Sequence, residues 1–247
     1  MATSSKATIV LVGGAFHTPQ SYEKLKTAIQ ALGYEVHVPR LPTCNEARPP
    51  NTDLASDTEL IRGYVESLVQ AGRNFVIIGH SYGGQHDPPP ALPGGVSHIV
   101  YLVGYALPEG KCSLDKFKEF GNIENMALVF DVAEDGSTVV RDPKALFSLD
   151  GPGITEEDIA AYIKTLCRWS GKGMFQPIER AAWREIPVAY IHTTSDMSIP
   201  TAEQESMVAL IEKVGRKVRT FTVKSGHCPN FNAAQSVADA VNQVASS

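Results

Sequence analysis

The stretch Phe75-Val76-Ile77-Ile78-Gly79-His80-Ser81-Tyr82-Gly83-Gly84 decides how the rest of this 247-residue chain is read. Its first four residues are apolar and mostly β-branched, the pattern of a strand buried on both faces. Gly79 ends the run, and Gly79-His80-Ser81-Tyr82-Gly83 turns the chain at the strand's tip. A serine at such a turn must adopt strained backbone angles, and flanking glycines let neighbouring backbone pass close to it. The Gly-x-Ser-x-Gly pattern is short enough to recur by chance. Its weight comes from the buried strand directly before it.

Working outward, Ala7 to Val12 is a second continuous β-branched run, closed by Gly13-Gly14. Ser21 to Leu32 then carries apolar residues at helical spacing and stops at Gly33. Tyr34 to Val38 reads as a strand and Leu41 to Thr52 as a long loop. Asp53 or Thr52 is placed to cap a helix reaching about Gln70. Beyond the serine turn, Ser97 to Val103 reads as a strand. Strands alternating with helices in this way predict an α/β fold with a mostly parallel central sheet and flanking helices. From Tyr105 to Arg184 the pattern loosens into short helical pieces (Leu114 to Phe120, Thr155 to Thr165) and Gly- and Asp-rich turns. We read residues 105–184 as a cap inserted into a core made of 1–104 and 185–247. Order returns with strands over Val188 to His192 and Val218 to Val223, and helices over Thr201 to Val214 and Asn232 to Val244.

A serine nucleophile on a strand-to-helix turn predicts an acid and then a histidine, each just beyond a later strand. Asp196 follows the strand ending at His192, and His227 follows the strand ending at Val223. In that arrangement His227 takes the proton of Ser81 while Asp196 holds the imidazole in one tautomer. The oxyanion that forms needs backbone donors. The N–H of Tyr82 is one, and the loop after the first strand supplies the other from Ala15, with Phe16 next. Candidates to line the pocket are His17, Tyr105, Phe120, Met126, Phe175 and Trp183, with Phe117, Trp169 and Met174 among further aromatic and Met residues in reach.

Composition narrows the remaining choices. Hydrophobic residues make up 43% and charged residues 20%, with a formal net charge of -5. No basic run offers a surface for nucleic acid or an anionic membrane, and no apolar run is long enough to span a bilayer. Met1 to Lys6 is polar, with no signal-peptide h-region, so a cytoplasmic protein is expected. The four cysteines (Cys44, Cys112, Cys167, Cys228) form no CxxC pair and no carboxylate cluster suggests a metal, so neither metal nor disulfide framework is expected. A dinucleotide fingerprint is missing at Gly13-Gly14.

These residues resemble a known family. Ile9 to His17, the Ser81 turn, Ile186-Pro187 leading to Asp196, and Ser225-Gly226-His227 are similar to the small α/β-hydrolases that include plant methylesterases and hydroxynitrile lyases, and to related fungal α/β-hydrolases. The resemblance implies an α/β-hydrolase fold with a cap, a buried acyl pocket, no cofactor, a small ester or lactone as substrate, and a homodimer as in many relatives. Three departures stand out. Gly13-Gly14 replaces the usual His-Gly. Cys228 stands where the lyases carry a lysine that handles cyanide, which disfavours cyanohydrin cleavage. Pro88-Pro89-Pro90 cannot continue the long helix that usually follows the nucleophile, so that helix is expected to be truncated to a turn at most.

The leading expectation is therefore a serine hydrolase forming an acyl-enzyme on Ser81. A lyase or cyclase of a natural-product pathway using the same residues, and a ligand-binding or inactive paralogue, remain open alternatives.

Overall fold

Residues 6–86 and 95–247 are described in a computed structural model. Among them, β1 (Thr8–Val12), β2 (Val36–His37), β3 (Phe75–His80) and β4 (Val96–Leu102) precede a hairpin, β5 (Phe130–Val132) and β6 (Thr138–Val140). The strands β7 (Val188–Thr193) and β8 (Val218–Val223) follow it. Six strands form one sheet in the order β2-β1-β3-β4-β7-β8, and every pairing in it is parallel. The chain steps outward from β1 to β2 and then crosses back past β1 to β3. That reversal makes a crevice at the carboxyl ends of β1 and β3, where α/β sheets bind their ligands. Gly13-Gly14 and Ser81 sit at those two ends.

Helices cover both faces of the sheet. Ile9, Leu11, Val76, Ile78, Val100 and Leu102 point to one face, packed on Leu25 and Ile29 of α1 (Glu23–Ala31). The neighbouring residues Val10, Val12, Ile77, Ile99 and Tyr101 point to the other, packed on Ile61 and Val65 of α2 (Leu54–Gln70). Burial on both faces explains why these strands read as unbroken apolar runs. Each fully buried Ile or Leu contributes about 1.5–3 kcal/mol. The α2 helix starts as expected: the Asp53 carboxylate accepts from Ser56 N at 3.1 Å, in a capping box.

Between β4 and β7 run α3 (Ser113–Glu119), α4 (Met126–Val129), the β5–β6 hairpin, α5 (Pro143–Phe147) and α6 (Glu156–Ile163). The hairpin, whose strands are three residues each, lies inside what the sequence presents only as turns. The segment is tied back to the core at several points. Cys167 N–H donates to Phe16 O at 2.8 Å and Ser170 N–H to Thr43 O at 2.9 Å. The chain closes with α7 (Thr201–Lys213), α8 (Pro229–Asn232) and α9 (Ala234–Ala245), the last packing beside α1 on the sheet face of Ile9 and Leu11.

The segment after Ser81 is a 3-10 turn over Ser81–Gln85, and His86 leaves helical angles at φ -81 and ψ 128. The prolines behind the expected truncation lie outside the described residues.

One buried acid yields a stability prediction. Glu203, in the first turn of α7, is 1% exposed, and its Oε1 has no hydrogen-bond partner among the described residues. Burial, reinforced by Asp196 and opposed by Lys116, pushes its pKa from an ordinary 4.5 up to about 7. The folded state therefore holds its proton more tightly than the unfolded state, and stability falls as pH rises from 4.5 through 7. Glu203→Gln is expected to be more stable than the parent at pH 8, by at most about 3 kcal/mol, with the difference vanishing toward pH 4.5. Urea midpoints of both proteins at the two pH values check this.

Candidate active site

Ser81 follows β3 with φ at +51°, a left-handed angle that costs a non-glycine residue about 1–3 kcal/mol. The packing around it leaves no room for side chains. A Cβ on Gly83 would lie against the carbonyl oxygen of Val12 and 2.7 Å from that of Gly13. One on Gly79 would come within 2.9 Å of Gly84 Cα, and one on Gly84 within 2.7 Å of Tyr105 N. Tyr105 N–H also donates to Ser81 O at 3.0 Å, anchoring the turn to the strand end of β4. The need for Gly84, and for Gly104 against the Gly79 carbonyl, is not visible in the five-residue pattern.

The three residues singled out by order along the chain come together. His227 Nε2 lies 2.8 Å from Ser81 Oγ, and His227 Nδ1 lies 2.8 Å from Asp196 Oδ2. All three are buried. With the Asp196 carboxylate as acceptor, Nδ1 carries the hydrogen and the Nε2 lone pair faces the serine hydroxyl. The other carboxylate oxygen accepts the backbone N–H of Ser198 at 2.7 Å and of Ile199 at 2.8 Å. Asp196 is thus held by its own loop, which Ser195 N–H joins to the His227 loop through Ser225 O at 3.0 Å. The Phe147 ring stacks on the imidazole with centroids 5.5 Å apart, and His227 N–H donates to Phe147 O at 2.9 Å.

Beneath this row, two hydrogen-bond chains bind the first loop to the histidine loop. Gly14 N–H donates to Tyr22 Oη at 2.7 Å, the Tyr22 hydroxyl donates to His80 Nδ1 at 2.7 Å, and His80 Nε2–H donates to the His227 carbonyl at 2.8 Å. The carbonyl acceptor fixes the His80 tautomer, and every group in the chain has its partner. On the other side His17 Nδ1–H donates to Ala15 O at 2.6 Å, and Cys228 Sγ approaches His17 Nε2 at 3.5 Å. Burial pushes the His17 pKa down to about 3 and that of His80 well below its usual value, so both rings are neutral linkers. Tyr22→Phe is expected to leave Gly14 N–H and His80 Nδ1 unpaired. The expected cost is about 2–4 kcal/mol, read as a lowered urea midpoint, with slower ester turnover.

Ser81, His227, Ala15, Phe16 and Tyr82 line one cavity of about 40 Å3, closed by Tyr105, Phe117, Phe130, Phe147, Trp169 and Met174, with Ser113 and Ser198 as its other polar members. Phe16 has φ at +68°. The Tyr82 side chain turns away from the serine, and its hydroxyl donates to the buried Asp57 carboxylate at 3.0 Å. Burial raises the Asp57 pKa to about 6.

Of the expected pocket residues, Tyr105, Phe117, Trp169 and Met174 border this cavity, and His17, Phe120, Met126, Phe175 and Trp183 do not. His17 lies under the first loop as a linker. Trp183 is buried in the core, its indole N–H donating to Leu107 O at 2.7 Å. Phe175 is 59% exposed. Phe120 caps the end of α3, and Met126 packs at the edge of the main core. Phe130, Phe147 and Ser198 take their place. Ser198 could have been found from its position two residues after Asp196. Nothing local marks Phe130 or Phe147. Among the described residues no cluster of His, Cys, Asp or Glu could hold a metal, all four cysteines are free and buried, and no helix is long and apolar enough to cross a membrane.

A family model described as the alpha/beta hydrolase family matches residues 9–240. A probable hydrolase of Phoma sp. is 26% identical over 253 residues, covering 98% of this chain and 99% of that protein. The crystal structure of a pyrethroid hydrolase from Sphingobium faniae superposes with a TM-score of 0.74 at 21% identity, covering 98% of both chains. That of a methylesterase from Arabidopsis gives 0.73 at 16% identity, covering 97% of this chain and 99% of the other. At such identities the two structures speak to the fold.

Proposed function

The chain belongs to the alpha/beta hydrolase family, and on that footing we propose that it is a serine hydrolase acting on a small carboxylic ester or lactone. The observation that carries this reading is the continuous hydrogen-bonded row Asp196–His227–Ser81, ending at the floor of an apolar cavity. Ser81 Oγ attacks the acyl carbon as its proton passes to His227 Nε2. Asp196, held by two backbone N–H groups, stabilises the imidazolium that results. Developing charge on the acyl oxygen is met by the N–H of Tyr82 and that of Ala15, with Phe16 the alternative second donor. Collapse expels the alcohol with the proton from His227, leaving an acyl-enzyme. Water activated by the same histidine then releases the acid. Residues 105–184 serve as the cap, supplying Phe117, Phe130, Phe147, Trp169 and Met174 to exclude solvent.

The test is turnover of p-nitrophenyl acetate or a small lactone in 18O-labelled water. Hydrolysis places solvent oxygen in the released acid. Product formed without the label would point instead to elimination or cyclisation at the same residues.

A further inference from the structure

Next to the cavity at Ser81 lies a larger groove of about 450 Å3, and the two share Phe117, Phe130 and Ser198 in their walls. The inner space, about 40 Å3, is enough for about three water-sized bodies. A space of that size suits a short acyl group such as acetyl, and a long acyl chain exceeds it. The groove has more than ten times that volume, and its rim includes Leu128 and Met197, which are 72% and 68% exposed. Such side chains in water mark a surface that gains by being covered. Among the described residues no Lys or Arg lines the groove, and the acid in its wall, Asp142, is engaged in capping α5 through Ala145 N–H at 3.0 Å. A neutral, apolar occupant suits it better than an anionic one.

The groove also has a direction relative to the chemistry. One wall is the loop of the acid (Met197, Ser198, Pro200) and another is Ala145 and Leu146, directly before the Phe147 ring that stacks on His227. It therefore opens on the imidazole side of Ser81. In ester cleavage the group that departs must take its proton from His227 Nε2, so the alcohol portion lies on that side. The acyl portion is left with the enclosed side, against Tyr82, Tyr105, Trp169 and Met174.

We infer that the groove is the leaving-group subsite, and that the preferred substrate is an ester joining a short acyl group to a long or bulky apolar alcohol. This rests on the ester-hydrolase reading above. The Ser81 Oγ–acyl bond forms as the acyl–alkoxy bond breaks, the alkoxy oxygen takes the His227 proton, and the alcohol leaves through the groove. Water later takes its place on the acyl carbon, so that ester and water become acid and alcohol.

Two series measured by pH-stat decide the matter: ethyl, butyl and octyl acetate against ethyl acetate, butyrate and octanoate. The expected result is that kcat/KM rises at least about tenfold from ethyl to octyl acetate and falls at least about tenfold from ethyl acetate to ethyl octanoate, on the scale of burying or excluding a few methylenes. Leu128→Asp and Met197→Asp, both at the exposed rim, are expected to cut the octyl-over-ethyl preference. Ethyl acetate is common to both series, so its cleavage reports the hydrolase reading on its own. If it is cleaved but the slopes are flat or reversed, or the preference is unmoved in both variants, the subsite assignment is overturned and the hydrolase reading stands. No cleavage of any ester overturns both.

Discussion

Ser81→Ala is expected to lower kcat on an activated ester by about 10^4–10^6-fold while leaving the fold intact, the range for removing a nucleophile whose partners act as a unit. The expectation follows from placement. The hydroxyl faces His227 Nε2 at 2.8 Å, and the imidazole is already committed on its other nitrogen to Asp196. Alanine keeps the backbone at the same left-handed angle and removes only one oxygen, so the urea midpoint should move by less than about 1 kcal/mol equivalent. What activity survives would come from the backbone donors and binding alone. Steady-state kinetics on p-nitrophenyl acetate, with the parent and variant matched for fold by circular dichroism, measure the loss.

Gly83→Ala is expected to give the largest loss of stability, at least about 3 kcal/mol, because a single methyl group has nowhere to go. It would meet the Val12 carbonyl and lie 2.7 Å from the Gly13 carbonyl, both backbone, so no rotamer change can relieve the contact. The turn at Ser81 and the loop after β1 would have to separate, and with them the N–H groups of Tyr82 and Ala15. Activity should therefore fall along with the melting temperature, by about 6–12 °C for a domain of this size. Gly63, in the exposed run of α2, supplies the contrast. A Cβ there meets nothing within 4 Å, and Gly63→Ala should raise stability by about 0.5–1 kcal/mol through helix propensity. Thermal denaturation of the two variants side by side reads both.

Much of this was legible in the residues because the signals were local and redundant. The apolar runs at Ile9 and Phe75 are long enough to name buried parallel strands, and Asp53 declares its cap. Ser81, Asp196 and His227 appear in the order that the fold demands, each just past a strand, and that order survives without any knowledge of distance. Edges were less legible. The strand expected over Tyr34 to Val38 pairs only at Val36 and His37, because it lies at the sheet's edge with one neighbour. The strand expected to include Val103 stops at Leu102, where Val103 turns to φ +41°.

The pocket was the least legible, and for a physical reason. Which aromatic side chains in residues 105–184 face the serine depends on how short helices and a small hairpin stack, and no periodicity records that. Trp183 and Phe147 are both large, apolar and buried. One has its indole N–H committed to Leu107 O in the core, the other stacks on His227, and only tertiary contacts separate them. The linking roles of Tyr22, His80 and His17 were hidden likewise, since each is joined to residues far along the chain.

Treating the protein with a fluorophosphonate and mapping the adduct by peptide mass spectrometry asks whether Ser81 is the nucleophile of an ester hydrolase. One adduct per chain is expected, on Ser81, with esterase turnover falling in step as the label is taken up. Full esterase turnover with Ser81 unmodified, or an adduct at another residue that accounts for the inhibition, would contradict that role.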